Sequence, residues 1–346
     1  MDRLEAGRHS RRPQGNSEGL AELRQPRRNV FEVVTEQILA KLALGVVPWQ
    51  SPSVARVGLP RNFSTGNAYS GINVFLLGAH EFQSPFFLTF LQSRELGGTV
   101  RRGEHGMLIV KMGTWKRDGA ANASGTGEPN PETTARRFLK VYTVFNACQI
   151  DGIDFPAPPV PETFTESARA EKAKALVAGM RNPPLIHEGR KAYPHYLPAE
   201  DIVEMPARQT FRAEWRYYKT LFHELGHATG HATRLNRKSL IENRGMSASG
   251  SAQKTYCQEE LVAEMTAAFL GVRAGIIEDD LENSAAYLKG WLEVLRVSDH
   301  RTWLIKAASD AQRAANYILN EDRPTECSNS AEGPEADPDG PLNTPP

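Results

Sequence analysis

The sequence predicts an α+β chain in two folded parts: a small N-terminal α+β domain, then a mainly helical domain with a short sheet. Three observations carry this reading. Helical periodicity and short strand-like runs are mixed before residue 155, whereas helical stretches dominate after it. The segment from Phe155 to Pro161 (FPAPPVP) cannot continue a helix or a central strand and suits a stiff linker. The length of 346 residues fits two domains of roughly 100–200 residues each. The expected divisions are a disordered basic arm (1–28), a first domain (29–155), a Pro-rich linker (156–164), a second domain (165–320) and a disordered acidic tail (321–346).

Residues 1–28 are Arg-rich and lack apolar periodicity. Val30, Val33, Val34, Ile38 and Leu42 then recur at helical spacing, with Asn29 as N-cap and Gly45 as the stop. Residues 46–71 read as an extended loop, and Ile72 to Ala79 as a helix. Phe86–Phe90, Met107–Lys111 and Phe138–Phe145 have strand composition. Between them, Trp115–Arg136 is a Gly/Ser/Asn/Pro-rich surface insert. In the second domain, helices are expected over 165–180, Phe211–Thr229 (capped by Thr210), Leu261–Val272, Leu288–Val297 and Trp303–Leu319. A short strand pattern lies within Tyr193–Met205.

Composition is ordinary for a globular chain, at 40% hydrophobic and 24% charged. No apolar run approaches the roughly 18 residues of a membrane span. The first residues lack the apolar stretch of a secretory signal, and the three scattered cysteines do not suggest a disulfide framework. A cytoplasmic location without membrane partners is expected. The net charge of zero argues against a nucleic-acid partner only until it is divided by segment. Residues 1–28 carry 7 basic and 4 acidic groups, 29–155 carry 12 and 10, 156–320 carry 21 and 20, and 321–346 carry 1 and 7. Neutrality is the work of the acidic tail.

The sharpest motif is HELGH at 223–227. Residues i and i+4 share a helix face, so His223 and His227 converge on one ion while Glu224 lies beside them. This is the HExxH zinc-peptidase signature, with Glu224 as general base toward the attacking water. Random composition would give such a match only about 0.02 times in a chain of this length. A catalytic zinc takes three protein ligands and keeps a fourth position open. The metzincin pattern fails, because its third-ligand position holds Thr233. His231 would lie roughly 12 Å along a straight helix from His223, and becomes a candidate only if Gly230 ends the helix and re-aims it.

The stretch from Gln258 to Glu264 (QEELVAE) begins 31 residues after His227, on another expected helix. Glu260 and Glu264 share a face. Glu260 is assigned to the metal, and Glu264 to accepting the free ring N–H of a ligand histidine. The reverse assignment stays open, and Glu259 is expected on a solvated acidic face. This donor set suits Zn2+ and also accepts Mn2+ or Co2+. The Tyr193–Met205 pattern is a candidate edge strand beside the metal. Tyr193, His195, Tyr196 and Tyr256 are candidates for stabilising an oxyanion, against the simpler reading of core or rim residues.

Two long stretches, Tyr217 to Arg237 and Tyr256 to Glu264, resemble the metallopeptidase domain of ArdC-type antirestriction proteins. Independently, Asn62–Leu77, Leu96–Gly106 and Val144–Gly152 resemble that family's N-terminal single-stranded-DNA-binding region, which also occurs in TraC-type primases of conjugative plasmids. The resemblance spans about residues 29–320 and leaves out both tails. It implies a single-stranded-DNA-binding domain followed by a zincin-like, gluzincin-type metallopeptidase domain, in a protein of mobile elements that counters host restriction. Cations and aromatics interleave in the first domain: Arg56, Arg61 and Tyr69 near Trp49 and Phe63, Arg101 and Arg102 in a Gly-bounded turn, and Trp115 with Lys116. By themselves these residues suit ordinary core aromatics and a solvated charged face slightly better than a stacking groove, and it is the resemblance that implies DNA contact. The expected partners are single-stranded DNA and a protein substrate that the sequence does not name. Two rivals remain: a non-catalytic DNA-binding protein with a structural or regulatory metal, and a DNA-processing enzyme. The second lacks a polymerase-like or nuclease-like carboxylate cluster.

Overall fold

A computed structural model describes residues 29–50, 52–115, 136–157, 164–241, 251–276, 284–296 and 302–321. The basic arm, residues 158–163 of the Pro-rich linker, most of the 115–136 insert, Lys116 within it, and the acidic tail beyond Glu321 lie outside the described residues. Helix α1 (Val30–Ala43) starts where expected: the Asn29 side chain accepts from the Phe31 amide at 3.1 Å, and Gly45 leaves the helix at φ 81°. The segment 46–71, expected to be a loop, contains a short helix, α2 (Pro52–Val57), and a strand, β1 (Arg61–Asn62). Helix α3 (Ile72–Gly78) and strand β2 (Phe86–Thr89) follow. Helix α4 (Phe90–Glu95) was not legible as periodicity, but it carries a capping box. Thr89 Oγ1 accepts from the Gln92 amide at 3.2 Å, and Gln92 Oε1 accepts from the Thr89 amide at 3.0 Å.

Strand β3 (Thr99–Val100) pairs with β6 (Ile150–Asp151), flanking the long strands β4 (Met107–Trp115) and β5 (Arg136–Asn146). The main sheet has the order β1-β2-β5-β4. Its β4–β5 ladder runs antiparallel from Met107 opposite Val144 to Trp115 opposite Arg136. The free edge of β4 is partly closed by α3: Asn73 both donates to the Val110 carbonyl and accepts from the Val110 amide, each at 2.8 Å.

Helix α5 (Glu166–Ala178) opens the second half. Strands β7 (Leu185–Glu188), β8 (His195–Leu197) and β9 (Ile202–Met205) form a sheet of order β7-β9-β8, so β8 is an edge. Helix α6 (Glu214–Ala228) begins three residues later than expected. Thr210 does not cap it: its hydroxyl donates to the Ala207 carbonyl at 2.6 Å inside a separate 3-10 turn. After α7 (Lys238–Ile241), α8 runs from Ser251 to Ala274, ten residues before its apolar stretch. The α helices α9 (Ser284–Arg296) and α10 (Trp303–Ile318) complete the described chain. No helix among the described residues is long and apolar enough to cross a membrane.

One large apolar cluster takes residues from both sides of the Pro-rich segment, including Ile38, Trp49 and Phe75 from the first half and Leu225, Leu270 and Ala311 from the second. Phe75 of α3 stacks on Phe269 of α8 with ring centroids 4.7 Å apart, and Trp49 meets Trp291 of α9 edge-on at 5.9 Å. Trp49 is 3% exposed, which makes it a core residue rather than a stacking platform for DNA.

Helices α6 and α8 lie in close contact at Gly226. A Cβ there would come to 3.0 Å of Ala263 Cα and 3.3 Å of its carbonyl oxygen. Gly226→Ala should therefore push the helices apart. The expected net loss is about 1–3 kcal/mol of stability, despite alanine's better helix propensity. Denaturant unfolding measures this, and an unchanged midpoint would show that the crossing tolerates a methyl group.

Candidate metal centre

The last two turns of α6 bear His223, Glu224 and His227, and the facing turns of α8 bear Glu259, Glu260 and Glu264. On α6, the two imidazoles point their Nε2 atoms at each other, 3.2 Å apart. The Glu260 carboxylate completes a triangle, with Oε2 at 3.5 Å from His223 Nε2 and Oε1 at 3.6 Å from His227 Nε2. Ligand atoms about 2.0–2.1 Å from a tetrahedral ion lie about 3.3–3.4 Å from one another. The side chains thus already hold the spacing that one divalent ion requires. Among the described residues, these three form the one group of His, Cys, Asp or Glu whose ligand atoms all fall within 4.8 Å of each other.

A second carboxylate stands behind each imidazole, as a hydrogen-bond partner for His227 and as a charge contact for His223. His223 Nδ1 lies 3.8 Å from Glu264 Oε1, and His227 Nδ1 lies 3.4 Å from Glu259 Oε1. Glu259 is a correction to the sequence reading. It is not on a solvated face but fully buried, at 0% exposure. Arg237 ion-pairs with it, and the Ser239 hydroxyl donates to Oε2 at 2.6 Å. Arg237 in turn donates to the Thr229 hydroxyl at 2.6 Å and the Gly226 carbonyl at 2.7 Å, tying the pair to the end of α6. The segment from Arg237 to Ser239 covers the outer side of α8 and turns a polar helix face into an interior one. No spacing rule in the sequence announces that.

Electrostatics follow from this crowding. Burial alone would raise the Glu259 pKa, but the hydrogen bond from His227 and the charge and hydrogen bonds of Arg237 outweigh it and hold it at about 2. Burial would lower the His223 pKa, yet the hydrogen bond to Glu260 and the charges of Glu264, Glu224 and Glu260 raise it to about 9. Tyr256 stands over the same group: its hydroxyl bonds Glu260, and burial together with Glu260 lifts its pKa to about 12. Glu224 is buried at 6% exposure, next to the triangle and not part of it.

The remaining candidates are placed as follows. His231 follows the helix end, bonds Thr233 Oγ1 at 2.9 Å and lies outside the ligand group. The Tyr196 hydroxyl donates to Asp201 at 2.7 Å and accepts from Arg234 at 3.2 Å, so it is tied into the scaffold. Arg234 also donates to the Ala228 carbonyl at 2.7 Å, which pins edge strand β8 to the end of α6. Tyr193 and His195 pack on each other at 5.1 Å. In the first half, Arg56, Arg61 and Arg102 are exposed, and Arg101 is ion-paired to Glu104 and Asp151. Tyr69 is half-buried, edge-on to Phe87 at 6.3 Å. Trp115 ends the β4 ladder, while Lys116 lies outside the described residues.

Comparison with known proteins agrees with this architecture. Residues 28–145 match the N-terminal domain of the anti-restriction factor ArdC, and residues 171–310 match a zincin-like metallopeptidase family. The chain is 35% identical over 298 residues to protein y4eC of Sinorhizobium fredii, covering 84% of this chain and 91% of that one. It is also 33% identical over 307 residues to the Escherichia coli DNA primase TraC, but spans only 20% of that much longer protein. Among solved structures, the antirestriction protein ArdC of plasmid R388 superposes with a TM-score of 0.63 in both its metal-free and Mn(II)-bound forms. The identities are 33% and 32%, covering 85% of this chain and 98% of that one. The chain belongs to the ArdC family of antirestriction proteins, with an ArdC-type N-terminal domain followed by a zincin-like metallopeptidase domain.

Proposed function

We propose that this chain is an antirestriction protein of a mobile element, which binds single-stranded DNA and carries a zinc-dependent peptidase site, and so protects incoming DNA from host restriction. The observation that carries the reading is the triangle of ligand atoms on His223, His227 and Glu260, with a buried carboxylate, Glu224, beside it. The relatives support it, since ArdC of plasmid R388 is an antirestriction protein with a Mn(II)-bound form.

His223, His227 and Glu260 would hold a divalent ion, which would supply Lewis acidity to a scissile carbonyl and to the attacking water. The chain's own residues do the rest. Glu224 takes the proton of the attacking water and returns it to the leaving amine. Glu259 fixes the His227 ring through Nδ1, and the charge of Glu264 orients the His223 ring from behind, which leaves both Nε2 lone pairs aimed at one point. Tyr256 steadies the Glu260 carboxylate. An extended peptide can add to edge strand β8, which packs beside α6.

Three outcomes test this. Glu224→Gln should keep metal binding by calorimetry and lose hydrolysis of a mixed protein substrate by about 100-fold or more. Undiminished cleavage would remove Glu224 from the mechanism. Glu259→Gln should weaken Zn2+ or Mn2+ binding about 10- to 100-fold while the far-ultraviolet dichroism stays native. Unaltered affinity would reduce Glu259 to a packing residue. Binding to single-stranded DNA should exceed binding to duplex and fall with added salt, because phosphate neutralisation releases counterions. Equal affinity for both forms would reject the DNA half of the proposal.

A further inference from the structure

The β4–β5 ribbon begins inside a core and grows exposed toward Phe138. On one face, Met107 and Val144 pair across the strands and are buried with Leu77 and Phe87. Moving outward on that same face, the cross-strand pairs are Ile109 with Tyr142, Lys111 with Lys140, and Gly113 with Phe138. Ile109 is still buried, but Tyr142 is 38% exposed and Phe138 is 39% exposed. The tip of the Phe138 ring folds over Gly113, where a Cβ would come within 2.5 Å of it, so the ring lies across the partner strand. Lys140 Nζ stands 5.5 Å from the Phe138 ring centroid.

Two features of this face call for a ligand. Like charges directly opposite on an antiparallel pair repel, yet Lys111 faces Lys140, and neither pairs with a carboxylate among the described residues. Exposed aromatic rings on a strand contribute little to packing where they are not covered. An anionic backbone carrying flat bases answers both at once: phosphates neutralise the lysines, and bases stack on the rings. Duplex DNA hides its base faces and an acidic peptide has none, so a single strand fits best.

We propose that single-stranded DNA binds along this face, with bases stacked on Tyr142 and Phe138 and phosphates held by Lys111 and Lys140. This rests on the single-strand-binding reading above and gives that reading a location. Tyr142 and Phe138 are four residues apart, about 13 Å along the strand, with Lys140 between them. Stacking reads no base edge, so the face should tolerate any sequence.

Fluorescence anisotropy with a labelled oligothymidine tests the site on the full-length protein. Tyr142→Ala and Phe138→Ala should each raise Kd about five- to 150-fold. The double variant Lys111→Ala/Lys140→Ala should reduce the slope of log K against log salt by about 1.4. Met112→Ser, a 45% exposed position on the opposite face of the ribbon, should leave Kd unchanged. Photocrosslinking of a 5-iodouracil oligonucleotide to the unaltered protein should label the peptide containing Tyr142, which needs no variant to fold. If the unaltered protein binds single strands but these variants do so equally well, or the label maps elsewhere, the location is wrong and the reading stands. Loss in the lysine variant without loss in the aromatic ones would overturn stacking. No binding by the unaltered protein would overturn both.

Discussion

The close crossing of α6 and α8 at Gly226 is the constraint on which the metal centre depends. Because Gly226 has no side chain, Ala263 approaches to contact distance, and the glutamates on either side of it reach the imidazoles of the opposite helix. A wider separation would leave the carboxylates short of the histidines. The crossing is then fixed by polar bonds as well as by packing. Arg237 bonds both the end of α6 and Glu259 of α8, so one guanidinium clips the two helices together. A buried ion pair gains little net stability, but it becomes costly when one partner is lost. Its value here is positional: the carboxylate that Arg237 holds is the one behind His227.

How much of this was legible in the sequence depends on what kind of rule each residue obeys. His223, Glu224 and His227 were legible because helical spacing is local and α6 formed where its pattern lay. Glu260 and Glu264 were legible as a pair for the same reason, although nothing local says which helix they face. Glu259 was misread because its burial comes from a loop crossing the far side of α8. Helical periodicity assumes one buried face, and α8 has neighbours on more than one side, with α6, α7 and α10 all packed against it. The starts of α6 and α8 slipped because a fold can begin a helix wherever its first turn finds partners, whatever the apolar pattern suggests.

The first half shows the same limit in another form. The strand at 138–145 was legible by composition, but the role of its aromatic residues was not. Val144 lies in the core and Tyr142 is open, although they are two residues apart on one strand face. What separates them is where the ribbon leaves its covering helix, a distance set by the tertiary fold. Trp49 illustrates the converse. It stands among loop residues and arginines in the sequence, yet the packing of α1, α9 and α8 closes over it.

Charge arithmetic at the crossing points the same way as its geometry. Glu224, Glu259, Glu260 and Glu264 place four carboxylates around two imidazoles, and the nearby fixed cations are Arg237 and Lys219. Even Lys219 is a weakened counter-charge, since burial lowers its pKa to about 8 against the pull of Glu264. With both imidazoles neutral, four carboxylates against Arg237 and Lys219 leave an excess of about two negative charges in a partly desolvated space, where such an excess is expensive. The raised proton affinity of His223 is one response to that field. A divalent cation would cancel the excess with a single particle, and the point where both Nε2 atoms and Glu260 converge has the spacing to take one. Arginine and lysine cannot serve there, because neither can sit inside a triangle of ligand atoms about 3.5 Å on a side. The carboxylate count and the ligand spacing are thus two independent features that one divalent ion would satisfy together.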